Sequence, residues 1–308
     1  MWRTILVLLM TLIAVPWLTF NMDTPLSGHQ MDVLKMLLWT YGIAAFCTFA
    51  VSAITKNYSQ VDKLWSVIPI AYVWIVAYHS AFEPRIVLMA GMVTLWGARL
   101  TFNFARRGGY SWRFWEGEED YRWAILRAKP EFQAPWKWFL FNLFFISGYQ
   151  MGLILLFTLP AVKAMDSVND LGIWDIVLAA LMLGLIIMEF IADQQQYNYQ
   201  EAKHQLIREG KPLNAYYKVG FTHTGLWAWM RHPNYAAEQS IWVVFYLFSV
   251  VATGIPFNWT IAGCLLLILL FKGSSDFSEA VSAEKYPAYK TYQKRVGRFL
   301  PFKGKYNH

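Results

Sequence analysis

The chain has 308 residues, of which 56% are hydrophobic, 18% aromatic and only 15% charged. Its apolar runs are too long and too numerous for the core of a soluble domain, so the composition excludes a soluble globular enzyme and points to a polytopic membrane protein. The formal net charge of +7 suits anionic lipid headgroups or a phosphorylated cofactor better than nucleic acid, for which no motif is present.

A transmembrane helix needs roughly 17 to 25 predominantly apolar residues, with shorter ones tolerated inside a bundle. Eight candidates occur in chain order, at 4–20, 33–54, 65–78, 86–104, 136–162, 173–192, 239–253 and 258–271. The first comes after Met1-Trp2-Arg3, and it is kept as a helix because Val15-Pro16-Trp17-Leu18 offers no small-residue cleavage site for a signal peptide. This divides the chain into an additional N-terminal helix and loop, 1–32, and a membrane domain, 33–308. Between the last two spans Gly254-Ile255-Pro256 leaves room only for a tight hairpin. Cys47 and Cys264 both fall in spans, so neither a disulfide framework nor a metal site is expected.

Cytoplasmic loops carry the excess of Lys and Arg. Eight spans with the N-terminus inside place 23 of the 27 basic residues on the cytoplasmic side, leaving Arg85 and Lys163 outside and Lys35 and Arg99 within spans. The expected fold is therefore an all-α membrane bundle of about eight helices with both termini cytoplasmic. Its two long polar loops, 105–135 and 193–237, share that side, where function is expected.

The polar groups gather at the same end. Asp62 precedes a span, and Arg99 lies five residues before the end of another, about 8 Å deep at the helical rise. The segment from Arg106-Arg107-Gly108 to Asp120-Tyr121-Arg122 mixes both charges with aromatics and reads as an interfacial amphipathic stretch. Glu189, Asp193, Gln196, Gln200 and Lys203 repeat at spacings of four and three, one helical stripe running beyond the membrane. It is either a wetted face or the wall of a polar pocket. Next comes Trp229-Met230-Arg231-His232-Pro233-Asn234-Tyr235, with Glu238 one turn on. Pro233 fits the first turn of a helix, which puts Arg231 and His232 where free N–H groups and the helix dipole favour an anion. A membrane-interface cap with a snorkelling arginine is the plainer alternative. The tail carries Ser275, Glu279, Tyr286, Tyr289 and Tyr292, whose rings either lie at headgroup level or stack on a bound adenine.

Together, Val61-Asp62-Lys63-Leu64-Trp65-Ser66, Trp96-Gly97-Ala98-Arg99-Leu100, Glu119-Asp120-Tyr121-Arg122, the Arg-His-Pro-Asn-Tyr run with Glu238, and Lys285-Tyr286-Pro287 resemble the steroid 5-alpha-reductase-like membrane family. Its bacterial branch is the closest likeness. The resemblance covers roughly 33–302 and implies a seven-helix core to which the first span is added. It further implies an enzyme in a bacterial inner membrane that binds NADPH at the cytoplasmic end and transfers hydride to an activated C=C bond of a hydrophobic enone, steroid-like or another lipid. No Gly-x-Gly-x-x-Gly occupies a strand-turn-helix here, so helices and loops would hold the nucleotide. By position the resemblance implies cofactor contacts at Asp193, Asn234, Tyr235 and Glu238. Arg231 and His232 match a related sterol-reductase motif, Ser275 and Glu279 occupy comparable tail positions, and Lys203 joins them from the polar stripe. In the steroid enzymes a glutamate and a tyrosine hydrogen-bond the substrate carbonyl. Asp62 stands near the glutamate, and Arg99 falls where the tyrosine is missing, which makes these two the expected substrate-activating residues.

Two other classes stay open. The Arg-His-Pro-x-Tyr element also occurs in isoprenylcysteine methyltransferases, so an S-adenosylmethionine-dependent lipid methyltransferase is the main alternative. A lipid-binding homologue without catalysis is the other.

Overall fold

The computed structural model describes residues 2–306 apart from Phe114 and Val168. Helices account for the architecture, and among the described residues no β-strand forms, the one ladder contact being an isolated parallel bridge between Met230 and Gly297. In chain order they are α1 (Trp2–Asn21), α2 (Gly28–Thr55), α3 (Gln60–Trp65), α4 (Ile68–His79), α5 (Pro84–Ala105), α6 (Tyr121–Arg127), α7 (Pro135–Phe141), α8 (Gln150–Thr158), α9 (Pro160–Ala164), α10 (Ile173–Arg208), α11 (Ala215–Lys218), α12 (Pro233–Thr253), α13 (Ile261–Lys285) and α14 (Tyr289–Arg295).

Seven helical stretches are long and apolar enough to cross a membrane, and Ile5–Asn21 is a shorter apolar helix at the N-terminal end. This matches the expected seven plus one, and the protein is an integral membrane protein. Local chemistry explains the boundaries. Ser27 caps α2 with a reciprocal capping box to Gln30, Glu83 caps α5 ahead of Pro84, and Asp120 caps α6, each oxygen satisfying an N–H that the first helical turn leaves open. Pro233 opens α12, where its missing N–H costs nothing. At the hairpin Gly254 takes φ +72, a conformation that side chains with a Cβ rarely adopt.

The structure departs from the expected spans in three places. The third is not one helix, because the chain breaks between α3 and α4 just before Pro69, which cannot continue an α3 ladder. The fifth passes through a π-helical stretch, Asn142–Tyr149, before breaking at Pro160. Finally, α13 runs far past the apolar stretch 258–271 to Lys285, whereas the extension of α10 beyond 192 to Arg208 is the one the polar stripe implies.

The chain folds as two compact units, Met1–Ala180 with Val243–Leu267, and Leu181–Trp242 with Ile268–His308. In the first, α4 packs on α5, with Val73, Val76, Ile86, Met89, Val93 and Trp96 fully or almost fully buried. Gly97 is required there, because a Cβ would stand 2.5 Å from the Ser66 carbonyl oxygen. Arg85, wholly buried, makes two bonds to Asp175 and three more to Ser167, Asn169 and Asp170. The core of the second unit's polar end is an aromatic cluster of Val219, Phe221, Tyr289, Tyr292, Val296 and Tyr306.

Candidate functional site

In the second unit the Arg-His-Pro turn is built by the tail. The backbone N–H groups of Arg231 and His232 donate to the carbonyls of Gly297 and Arg298 at 2.9 and 3.0 Å. The Arg231 side chain then grips Glu279 of α13 with Nε at 2.7 Å and Nη2 at 3.2 Å, while Nη1 donates to the carbonyls of Gln293 and Val296. His232 Nε2 lies 2.9 Å from the same carboxylate, and Gln293 Nε2 donates to it at 2.8 Å. Arg298 extends the network outward, 3.5 Å from Glu279, 3.2 Å from Ser275 Oγ and 2.5 Å from Asp276, which also pairs with Lys272. One buried carboxylate thus anchors three segments far apart in sequence, through bonds that are charge-assisted and correspondingly strong.

The His232 imidazole stacks on Tyr235, centroids 5.2 Å apart, and Tyr235 leans on Phe271 at 4.8 Å. Burial pushes the His232 pKa below its ordinary value, and the pull of Glu279 toward the charged form does not restore it. The ring is therefore neutral at pH 7. Since the carboxylate paired with Arg231 only accepts, the neutral ring carries its proton on Nε2 and donates it.

The remaining candidates of this unit lie on α10 and α12. Asn234 Nδ2 donates to Asp193 Oδ1 at 3.3 Å, and both carboxylate and stripe neighbour Glu189 are buried. Glu238 accepts the indole N–H of Trp242 at 3.0 Å, one turn further along α12. Lys203 is buried, donates to the Gly220 carbonyl at 3.0 Å and lies over the rings of Tyr199 and Tyr286. The stripe of α10 thus faces protein, not solvent, at Glu189, Asp193 and Lys203. The structure therefore brings Arg231, His232, Ser275 and Glu279 into one network and sets Asp193 beside Asn234.

Two of the three tail tyrosines answer to neither sequence expectation, while Tyr286 is only half-buried. Tyr289 and Tyr292 are buried in the aromatic cluster, and the Tyr292 hydroxyl donates to the Trp227 carbonyl. Neither ring is offered to headgroups or to an adenine. Packing against Phe221 and Tyr306, whose sequence positions give no hint of this, uses them up.

Asp62 lies in the first unit on α3, where it accepts the Trp123 indole N–H at 3.1 Å and stands 3.8 Å from the Arg122 guanidinium. Arg122 is shared, because Asp120 takes its Nε at 2.8 Å and its Nη2 at 3.1 Å. Burial opposes ionisation of Asp120, but the Arg122 charge outweighs it and holds the carboxyl below its usual range. Glu119 accepts from the Tyr58 backbone and from Arg127. The segment expected to be interfacial and amphipathic is instead tied to α3 and its N-terminal approach, through Asn57 to the Gly117 carbonyl, Gln60 to Trp115, Lys63 to Glu116 and Tyr110 to Lys63. Only its tip behaves as expected, with Trp112 fully exposed. Arg99 is buried on α5, one turn from buried Asn103.

Sequence reading missed Arg298, Gln293 and Trp123. Each reaches its partners within its own unit from another segment of the chain, and only the Glu119-Asp120-Tyr121-Arg122 motif signalled that its neighbourhood mattered.

Residues 48–296 match the family profile described as "Protein of unknown function (DUF1295)". An uncharacterized protein of Schizosaccharomyces pombe is 40% identical over 266 residues, which cover 82% of this chain and 75% of the relative. That relative is fungal, so the likeness to a bacterial branch finds no support. No solved structure matches the chain.

Proposed function

The chain belongs to the DUF1295 family, a steroid 5-alpha-reductase-like family of membrane proteins, and from that premise we propose that it is an NADPH-dependent reductase of an activated C=C bond in a hydrophobic enone. The observation that carries the reading is the family match itself, which spans Asp62, Arg99, Asp193, the Arg-His-Pro turn and Glu279 in order. The membrane helices support a lipid-soluble substrate drawn from the bilayer.

The donor set at the Arg-His-Pro turn fits such a cofactor. Arg231, Arg298 and Lys272 bring three fixed positive charges against the two carboxylates of Glu279 and Asp276, leaving a net positive cluster for an anionic group. Asp193 and Asn234 form a carboxylate and carboxamide pair, the donor and acceptor types that bind ribose hydroxyls and an amide. When bound, NADPH supplies the hydride. The work of the protein is to orient it and to stabilise charge on the substrate carbonyl as the double bond is reduced. Arg99, buried on α5, carries the planar guanidinium suited to an oxyanion and is the candidate partner of the developing enolate oxygen. Asp62, held by Trp123, is the candidate acid by the same resemblance. The active end is proposed to face the cytoplasm.

The test uses detergent-purified protein. NADPH binding should be measurable by its change in fluorescence, and 4-deuterated NADPH with a panel of lipid enones should yield product carrying one deuterium at the β-carbon. Tight binding of S-adenosylmethionine with none of NADPH would overturn the reading in favour of methyl transfer. NADPH binding without turnover on any enone would overturn the enzyme assignment and leave a binding protein.

A further inference from the structure

The apolar run of α13 ends at Phe271, and the helix continues to Lys285, about 21 Å farther along its axis at the helical rise. The chain then turns back. By Arg298 it has returned to the membrane end of the unit, since Arg298 bonds Ser275 and Asp276, one turn beyond Phe271, and its carbonyl accepts the His232 N–H at the start of α12. Phe299 confirms the depth, with its ring 6.1 Å from that of His232.

Beyond Phe299 the tail changes character. Tyr289, Tyr292 and Val296 are buried, but Leu300 is 59% exposed and Phe302 is 84% exposed. They are not on a frayed end, because Tyr306 beyond them is buried and its N–H donates to the Ala228 carbonyl at 2.8 Å. The backbone therefore pins a short hook, 298–305, with two large apolar side chains pointing away from protein at the level where the apolar helices end. Lys303 and Lys305 on the same hook are exposed. Apolar side chains flanked by lysines at this depth match a membrane interface, where the rings and alkyl groups enter the acyl boundary and the ammonium groups meet phosphates.

We propose that residues 298–305 form an interfacial foot, which inserts Leu300 and Phe302 into the bilayer surface and binds anionic phospholipid headgroups through Lys303 and Lys305. The foot would fix the tail, and with it the Gly297 and Arg298 carbonyls that shape the Arg-His-Pro turn, to the membrane. This does not depend on the reductase reading, and its test involves neither NADPH nor turnover.

A spin label at Phe302→Cys, in a Cys47→Ala, Cys264→Ala background, is compared with one at Lys285→Cys in nanodiscs of phosphatidylcholine with phosphatidylglycerol. The label at 302 should be more accessible to oxygen than to a water-soluble nickel chelate, and the label at 285 the reverse. In parallel, the protein with both cysteines retained is titrated with phosphatidylglycerol and followed by native mass spectrometry. Lys303→Gln with Lys305→Gln should weaken that binding roughly 25-fold, about fivefold per lysine, while phosphatidylcholine binding is unchanged. A label at 302 as open to nickel as the one at 285 overturns the proposal. So does a label shielded from both reagents, which would mean that protein covers the hook, and so does phosphatidylglycerol binding that ignores the lysines.

Discussion

Arg85–Asp175 and Arg231–Glu279 are buried arginine–carboxylate pairs that join residues far apart in the chain, and they are built differently. Arg85 and Asp175 in the first unit are both 0% exposed, and the remaining bonds of the Arg85 side chain go to the Ser167 hydroxyl and the carbonyls of Asn169 and Asp170. The side-chain bonds of Arg85 reach no histidine and no second carboxylate. The pair of Arg231 and Glu279 in the second unit begins the same way, but it includes a neutral histidine and opens through Arg298 to Asp276, which is about half exposed. One pair is a closed joint, whereas the other is a graded path from buried carboxylate to accessible cation. Similar pairing chemistry thus serves packing in one place and leaves a chemically addressable cluster in the other.

The largest expected effect lies at the closed joint. Arg85→Ala removes all five bonds and leaves Asp175 buried without a counter-charge, at a cost of about 3–5 kcal/mol. Thermal unfolding in detergent should show a large fall in Tm, and NADPH affinity of the fraction that folds should be unchanged. An unaltered Tm would mean that the clamp does not hold the first unit together. Glu279→Gln strands Arg231 in the same way but keeps the hydrogen-bonding shape, with Arg298 and bound water available to adjust, so a smaller loss of about 2–3 kcal/mol is expected. This variant should also change NADPH affinity, measured by fluorescence titration. If Tm falls and affinity does not, the second pair is as purely structural as the first.

Much of this contrast was written locally and some of it was not. The eight apolar stretches, the Pro233 helix start, the Gly254 hairpin and the α10 stripe all obey short-range periodicity or turn chemistry, and all were legible. Arg231, His232, Ser275 and Glu279 could be named by resemblance, but not the bonds among them, since Glu279 lies 48 residues from Arg231. Arg298 and Gln293 carried no signal, because they come from a tail whose path is set by the parallel bridge at Gly297 and by the Tyr292 cluster. Likewise the docking of 110–123 on α3 depends on backbone carbonyls as acceptors, which every residue possesses and no motif displays. Asp62 was legible as a polar outlier, while Trp123 as its donor was not.

A pH titration of stability sharpens the comparison further. His232 has a folded pKa below its unfolded value near 6.5, so between the two values the unfolded chain binds a proton that the folded chain refuses. Its contribution to stability is thus fully present above about pH 6.5 and is lost as pH falls toward the depressed folded pKa, with a slope approaching 1.4 kcal/mol per unit. His232→Asn should abolish that part of the slope and Asp175→Asn should leave it in place, both read from Tm against pH. The smallest effect on stability, and the most telling for the open path, is expected at Arg298. It is one-quarter exposed and its partner Asp276 about half, so after screening by solvent Arg298→Gln should cost no more than about 1 kcal/mol. If the positive balance of this cluster serves an anionic ligand, the same substitution removes one unit of charge from its accessible edge and should weaken NADPH roughly tenfold, with the loss shrinking as salt is raised. An affinity unaffected by both Arg298→Gln and salt would reduce the second pair to another joint, and would move the search for the phosphate-binding groups to other cations of the chain.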